Sequence, residues 1–360
     1  MFKSSKSLTK ALTCALIATV WVQAEAEELS VSHSGYVTGT AFSDQDFYPN
    51  VAKAAVNLDA EYGNFGARTQ VTDKGVSRLA IEYAIPAHGR NFVVQAGRLP
   101  RLTTLHSDIF GSPAEWGMAV LPLASYNRRM VHASAFNAVD GIRGQLNLAS
   151  NKGVGLKLMA AGGRMAITDA CALQSEFTKN PVCDPDWKIK PNRGSYALGA
   201  QVDFGDLELL YSIDRFMGRT EARPGAGPMA QYLTKVLAPE IDYRVYRWGV
   251  KYAKPDYFVQ AEGTENRTRT STKGVTSTAM DASVTGGVRL GDWTPYGTMS
   301  FGKSRDGNIS RDVALGLTWA EGGWSISAQR NKGEGAWKRF DTPGKAWDSY
   351  SASITYRWQQ

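Results

Sequence analysis

DVALGLTWAEGGW, residues 312–324, decides how the rest of the chain is read. Val313, Leu315, Leu317 and Trp319 alternate with Asp312, Ala314, Gly316 and Thr318. A period of two puts one set on each face of a β-strand. The run then closes in a tight Glu-Gly-Gly turn and restarts at Trp324. The same design recurs along the chain. Val56, Leu58, Ala60 and Tyr62 form one apolar face, Tyr196, Leu198, Ala200, Val202 and Phe204 another, and Leu207, Leu209, Tyr211 and Ile213 a third. The last is Tyr350, Ala352, Ile354, Tyr356 and Trp358, alternating with Ser351, Ser353, Thr355 and Arg357.

Such faces are buried against each other in a soluble sandwich, or turned to lipid in a transmembrane barrel. Three features favour the barrel. Tyr62, Phe65, Phe204, Trp293, Trp319, Trp324, Tyr356 and Trp358 stand at strand ends, where an interfacial aromatic girdle needs them. Tight turns such as EYGNFG, DFGDLE and WAEGGW alternate with connections that are mostly longer and more polar, as expected of two unlike rims. No segment reads as an amphipathic helix of core-forming length. About sixteen strands are expected, the first opening near residue 29 and the last near 349. A barrel that wide leaves an aqueous lumen.

The N-terminus is a targeting segment. Lys3, Lys6 and Lys10 precede the apolar run ALTCALIATVWV, and Ala24-Glu25-Ala26 is a small-x-small cleavage site. The expected division is a signal peptide over residues 1–26 and a single barrel over 27–360. The whole chain carries a net charge of +7. Without the leader it is mildly basic, and no Lys/Arg cluster is dense enough to point to nucleic acid. Mean hydropathy is −0.30, and no later apolar run is long enough for a transmembrane helix. Beyond the leader, Cys171 and Cys183 share a polar, proline-containing stretch, and an exported chain favours a disulfide between them.

The alternation stops once for some thirty residues, at GRLPRLTTLHSDIFGSPAEWGMAVLPLASYNRR, residues 97–129. A structureless stretch of that length is either functional or evidence against the assignment. It lies between the fifth and sixth strands and forms the third outer loop. A signal peptide, a strand ending Gly97-Arg98-Leu99-Pro100, an acidic and aromatic loop, the run Leu121 to Arg129, and Asp140-Gly141-Ile142-Arg143-Gly144 opening the next strand occur together. In these features the chain resembles the Gram-negative general porins, trimeric sixteen-stranded barrels. The general organisation covers the mature chain, and the specific motif about residues 95–145. The resemblance implies an all-β, transmembrane antiparallel barrel whose third outer loop, about residues 101–137, folds into the lumen and constricts it. It also implies a homotrimer, with outer-membrane lipid and lipopolysaccharide around it, passing small hydrophilic or anionic solutes without a cofactor. One departure is the C-terminus, where two glutamines follow Trp358 in place of a terminal aromatic residue.

Selectivity in such a channel follows from charges facing one another across a narrow gap. Parity turns Arg68, Arg78 and Arg143 inward, with Lys157, Arg289 and Arg357 by the same rule. Arg98, Arg101, Arg128 and Arg129 flank the loop, and Asp108 and Glu115 are its acids. The excess of arginine predicts a weak to moderate anion preference, offset in part by inward Asp59, Glu61 and Glu82. A substrate-specific channel for small carboxylates is the nearest alternative. An outer-membrane enzyme and a soluble β adhesin are alternatives of other classes. His106-Ser107-Asp108 invites the enzyme reading, but a triad is assembled from separated positions. The histidines follow no metal-ligand spacing, and no nucleophile elbow or phosphate loop is present.

Overall fold

The computed structural model describes residues 29–43, 51–72, 75–87, 90–100, 138–149, 153–166, 187–191, 194–236, 241–270, 276–303, 307, 309–335 and 346–359. The leader over 1–26, Arg101, Asp108, Glu115, Arg128 and Arg129 of the long loop, and the Cys171–Cys183 pair lie outside the described residues. The first and last strands, expected to open near residues 29 and 349, start at Leu29 and Ala346.

The first half comprises β1 (Leu29–Phe42), β2 (Val51–Tyr62), β3 (Phe65–Thr72), β4 (Gly75–Ala87), β5 (Arg90–Pro100), β6 (Ala138–Ala149) and β7 (Val154–Ala166). Then come β8 (Trp187–Pro191), β9 (Ser195–Phe204), β10 (Leu207–Ala222) and a short helix, α1 (Pro228–Val236). The remainder is β11 (Ile241–Ala253), β12 (Tyr257–Thr270), β13 (Thr276–Val288), β14 (Trp293–Lys303), β15 (Ile309–Glu321), β16 (Trp324–Gly335) and β17 (Ala346–Gln359).

Each barrel strand pairs antiparallel with its neighbours, and β17 pairs with β1 from Ser351–Phe42 to Gln359–Ser34. The sheet therefore closes and leaves no edge. β8 and β9 lie end to end along β10, opposite Gly218–Ala222 and Leu207–Arg215 respectively. Together they act as one stave, so seventeen strands make a sixteen-stave barrel. The amphipathic α1 was not anticipated from the sequence. Its Ala230 is buried, and its contacts are with β10 and β8.

Burial is inverted relative to a soluble protein. Leu315 is 68% exposed and Ile81 67%, whereas Ser327 and Asn331 are 0% exposed. The faces read as apolar from the sequence are the outer ones, and the polar faces are inside. Hydroxyls and amides meet across strands there: Thr38 with Thr355 at 2.8 Å, Thr285 with Thr298 at 2.9 Å, Thr318 with Ser327 at 2.8 Å. Tyr296 donates its hydroxyl to Gln329 at 2.7 Å. Buried polar groups cost little only when paired in this way. A sandwich would bury the opposite face of every strand, so the single closed sheet overturns the soluble-adhesin alternative.

The tight turns share one rim with both ends of the barrel chain. Gly63, Gly205 and Gly291 take positive φ there, which residues with a Cβ rarely adopt. Aromatic pairs ring this rim: Phe65 with Tyr83 at 4.6 Å, Trp324 with Tyr356 at 4.7 Å, Tyr252 with Tyr257 at 6.0 Å between centroids. Between neighbouring turns Lys254 pairs with Asp206, and the hydrogen bond to that carboxylate holds the ammonium above the ordinary lysine pKa. No helix among the described residues is long and apolar enough to cross a membrane; the strands do so instead.

Candidate functional site on the inner wall

Gly97, Gly141 and Gly163 lie in register on β5, β6 and β7. A Cβ on Gly141 would come within 2.2 Å of the Gly162 carbonyl oxygen, and one on Gly97 within 2.2 Å of that of Leu79. Only glycine permits these strands to approach so closely, and the row leaves a strip of inner wall without side chains. The row continues through Ala80 to Arg68. Arg78 stands on one side of it, and Glu82, Gln95 and Arg143 on the other.

Arg68 is held by carboxylates. It donates to Glu82 at 2.8 Å, lies 3.4 Å from Asp59, and contacts Glu61. Gln95 donates to the second oxygen of Glu82 at 3.0 Å. The three inward acids expected to offset the arginines thus all contact Arg68, and Asp59 and Glu82 also act on Arg78 through space. Arg78 is different. Among the described residues it has no ion pair, and its Nε is buried with no acceptor. Arg143 is 8% exposed, repelled by Arg78 and attracted by Asp214.

Arg98 requires a correction. It pairs in register with Leu79 and Asp140, on the face that carries exposed Leu79 and Ile142. Its guanidinium grips Asp140 through two bonds of 2.8 and 3.0 Å. It is therefore outside the inward cluster. Strict alternation from Gln95 gives this placement, and nearness to the loop obscured it. Lys157 stands on the inward face with Met159 and Ala161, and Arg357 on that of Thr355. Arg289 reaches the Lys254 and Pro255 carbonyls at the tight-turn rim, away from the cluster.

Sequence reasoning passed over the opposite wall. On β10 and β11, Asp214 and Arg247 form a buried pair at 2.6 Å. Glu262, Asp281 and Asp312 are inward and buried on β12, β13 and β15. The signal was available, because the same parity that turned Arg68 inward turns Asp312 inward. The basic strip on β4 to β6 thus faces acids of the barrel wall itself. Asp59, Glu61 and Arg68 stay part exposed, whereas the hydroxyl wall of β12 to β17 is buried. Among the described residues, the part-exposed inward side chains therefore lie on β2 to β4, with Asn57, Asp59, Arg68, Gln70 and Arg78 among them, whereas Gln95 and Arg143 on β5 and β6 are buried. The described residues hold no His/Cys/Asp/Glu group suited to a metal.

No protein-family model matches the chain, and no curated protein does. Solved structures match over nearly its whole length. An anion-selective porin from Comamonas acidovorans superposes with a TM-score of 0.57 at 12% identity, covering 92% of this chain and 100% of that one. OmpT of Vibrio cholerae in its trimer form gives 0.54 at 11% identity, covering 92% and 99%. The outer membrane channel DcaP of Acinetobacter baumannii gives 0.51 at 9% identity, covering 93% and 99%. At these identities the likeness is one of fold. With its sheet closed, its apolar face outward and its polar face inward, the chain is a membrane-spanning β-barrel of the porin fold.

Proposed function

We propose that the barrel is a water-filled channel for passive diffusion of small hydrophilic solutes, with a weak preference for anions. Arg78 carries the reading: a half-buried inward cation, without an ion pair among the described residues, beside a strip of wall bare of side chains. The fold it shares with an anion-selective porin supports the same sign. Paired Arg68 and the opposite wall's acids keep the preference weak. The loop over 101–137, with Arg101, Asp108, Glu115, Arg128 and Arg129, would constrict the lumen from its root beside the glycine row. A Cys171–Cys183 disulfide would steady the fourth outer loop. Assembly as a homotrimer draws support from the trimer form of the Vibrio cholerae structure. The solute gradient supplies the driving force, so the reading needs no cofactor.

Swelling of proteoliposomes in iso-osmotic solutes of graded size tests the proposal. Rates that fall smoothly with size, and are faster for small carboxylates than for neutral solutes of equal size, support it. Permeation that saturates with one carboxylate would favour the substrate-specific alternative, with Arg78 and Arg143 as its anion clamp. Absence of swelling would sink both.

A further inference from the structure

Three arginines of the outer face stand in one register row on adjacent strands: Arg215 of β10 opposite Arg244 of β11, and Arg244 opposite Arg267 of β12. Strand spacing of about 4.8 Å puts them within about 10 Å of one another. Like charges directly opposite destabilise a sheet, so the row needs anions. Among the described residues the protein supplies two. Asp242 accepts two bonds from Arg215, at 3.0 and 2.9 Å, and one from Arg244 at 3.1 Å. Glu265 takes Arg267, whose guanidinium also lies over Tyr246 at 4.9 Å. Three guanidiniums thus share two carboxylates, and their side chains remain 27%, 42% and 48% exposed. Farther out, Arg219 and Lys190 share Glu221.

Height identifies the occupant. Below the row, exposed Tyr211 and Trp248 face lipid. From Leu207 at the tight-turn rim to Arg215, the strand climbs about 20 Å at ~3.3 Å per residue and ~40° tilt, near the top of an apolar band about 25 Å tall. A charge lower in the band would cost about 2–4 kcal/mol; here arginine reaches the headgroup layer. Guanidinium forks match phosphate oxygens. By contrast, the outward charges of β16 and β17 balance among the described residues, Arg330 and Lys332 against Asp348 and Glu334.

We propose that Arg215, Arg244 and Arg267 dock the phosphate groups of an outer-leaflet lipid of the lipopolysaccharide type, a phosphorylated, acylated saccharide. The proposal goes beyond the channel reading and rests only on which face meets lipid. Full-length protein in detergent is titrated with bisphosphorylated lipid A, with the same lipid stripped of phosphate, and with inorganic phosphate, followed by native mass spectrometry. The expected result is retention of the bisphosphorylated lipid and at least about tenfold weaker binding of the stripped lipid. R215Q/R244Q/R267Q is expected to weaken the bisphosphorylated lipid as much, with R244Q intermediate and heat-modifiable gel migration confirming each fold. Equal binding by wild type and triple variant, or equal binding of both lipids, would overturn the proposal. So would inorganic phosphate held as tightly as the lipid, or loss of the oligomer with lipid binding unchanged, which would assign the row to a second copy of the chain.

Discussion

Arg78→Gln removes one full positive charge from the accessible side of the lumen. Arg68 sits in contact with three carboxylates, whereas Arg78 has none bonded to it among the described residues and feels Asp59 and Glu82 only through space, so more of its field reaches a passing ion. At about 6 Å in water that field is worth about 0.7 kcal/mol, and a ~10 Å Debye length at 0.1 M salt roughly halves it. The sign is opposite for cation and anion. The difference is therefore about 0.8 kcal/mol, or about fourfold in the anion-to-cation permeability ratio. Reversal potentials in a planar bilayer under a salt gradient measure this ratio directly. The variant is expected to lose the anion preference at little cost in conductance. Arg330→Gln, which removes an outward charge paired with Asp348, is expected to leave the ratio unchanged. A ratio unaltered in Arg78→Gln would refute the assignment of selectivity to this strip.

Three further outcomes follow from the wall. Asp214→Asn strips the buried Arg247 of its partner and is expected to destabilise the barrel by about 3–5 kcal/mol in urea unfolding from lipid vesicles, with a smaller loss when Arg247→Leu is added. Gly141→Ala drives a Cβ to 2.2 Å from a backbone oxygen and is expected to lower the unfolding midpoint, whereas Gly162→Ala, where a Cβ meets nothing within 4 Å, is not. Leu315→Arg places a charge against lipid at an outer position 68% exposed and is expected to cost about 2–4 kcal/mol in the same assay.

Where the outer wall repeats a period of two, the sequence is sufficient. Hydrophobic alternation and turn glycines fix strand starts, since slipping a strand by one residue would turn its whole apolar face inward. Irregularities escape that logic. The break between the end of β8 at Pro191 and the start of β9 at Ser195 has no counterpart in the alternation, and α1 is too short to announce itself by periodicity. At the site, parity alone recovers Arg68, Arg78 and Arg143, but not which arginine is neutralised. That depends on reach: Glu82 sits one strand from Arg68, and Glu61 and Asp59 approach from the other side. Arg98 shows the reverse error, where proximity along the chain to the long loop outweighed the face it occupies. The buried acids Glu262, Asp281 and Asp312 were legible by parity, yet their joint effect is a property of the closed barrel. Only closure sets them across from Arg78.

The most direct test of the account is the current through purified protein in a planar bilayer. An open barrel predicts stepwise conductance that rises in proportion to salt concentration, with a reversal potential displaced weakly towards the anion. A bilayer that stays silent while the protein shows the heat-modifiable migration of a folded barrel would contradict the claim that the lumen conducts. A strongly cation-favouring potential would place the control of selectivity on Glu262, Asp281 and Asp312 rather than on Arg78.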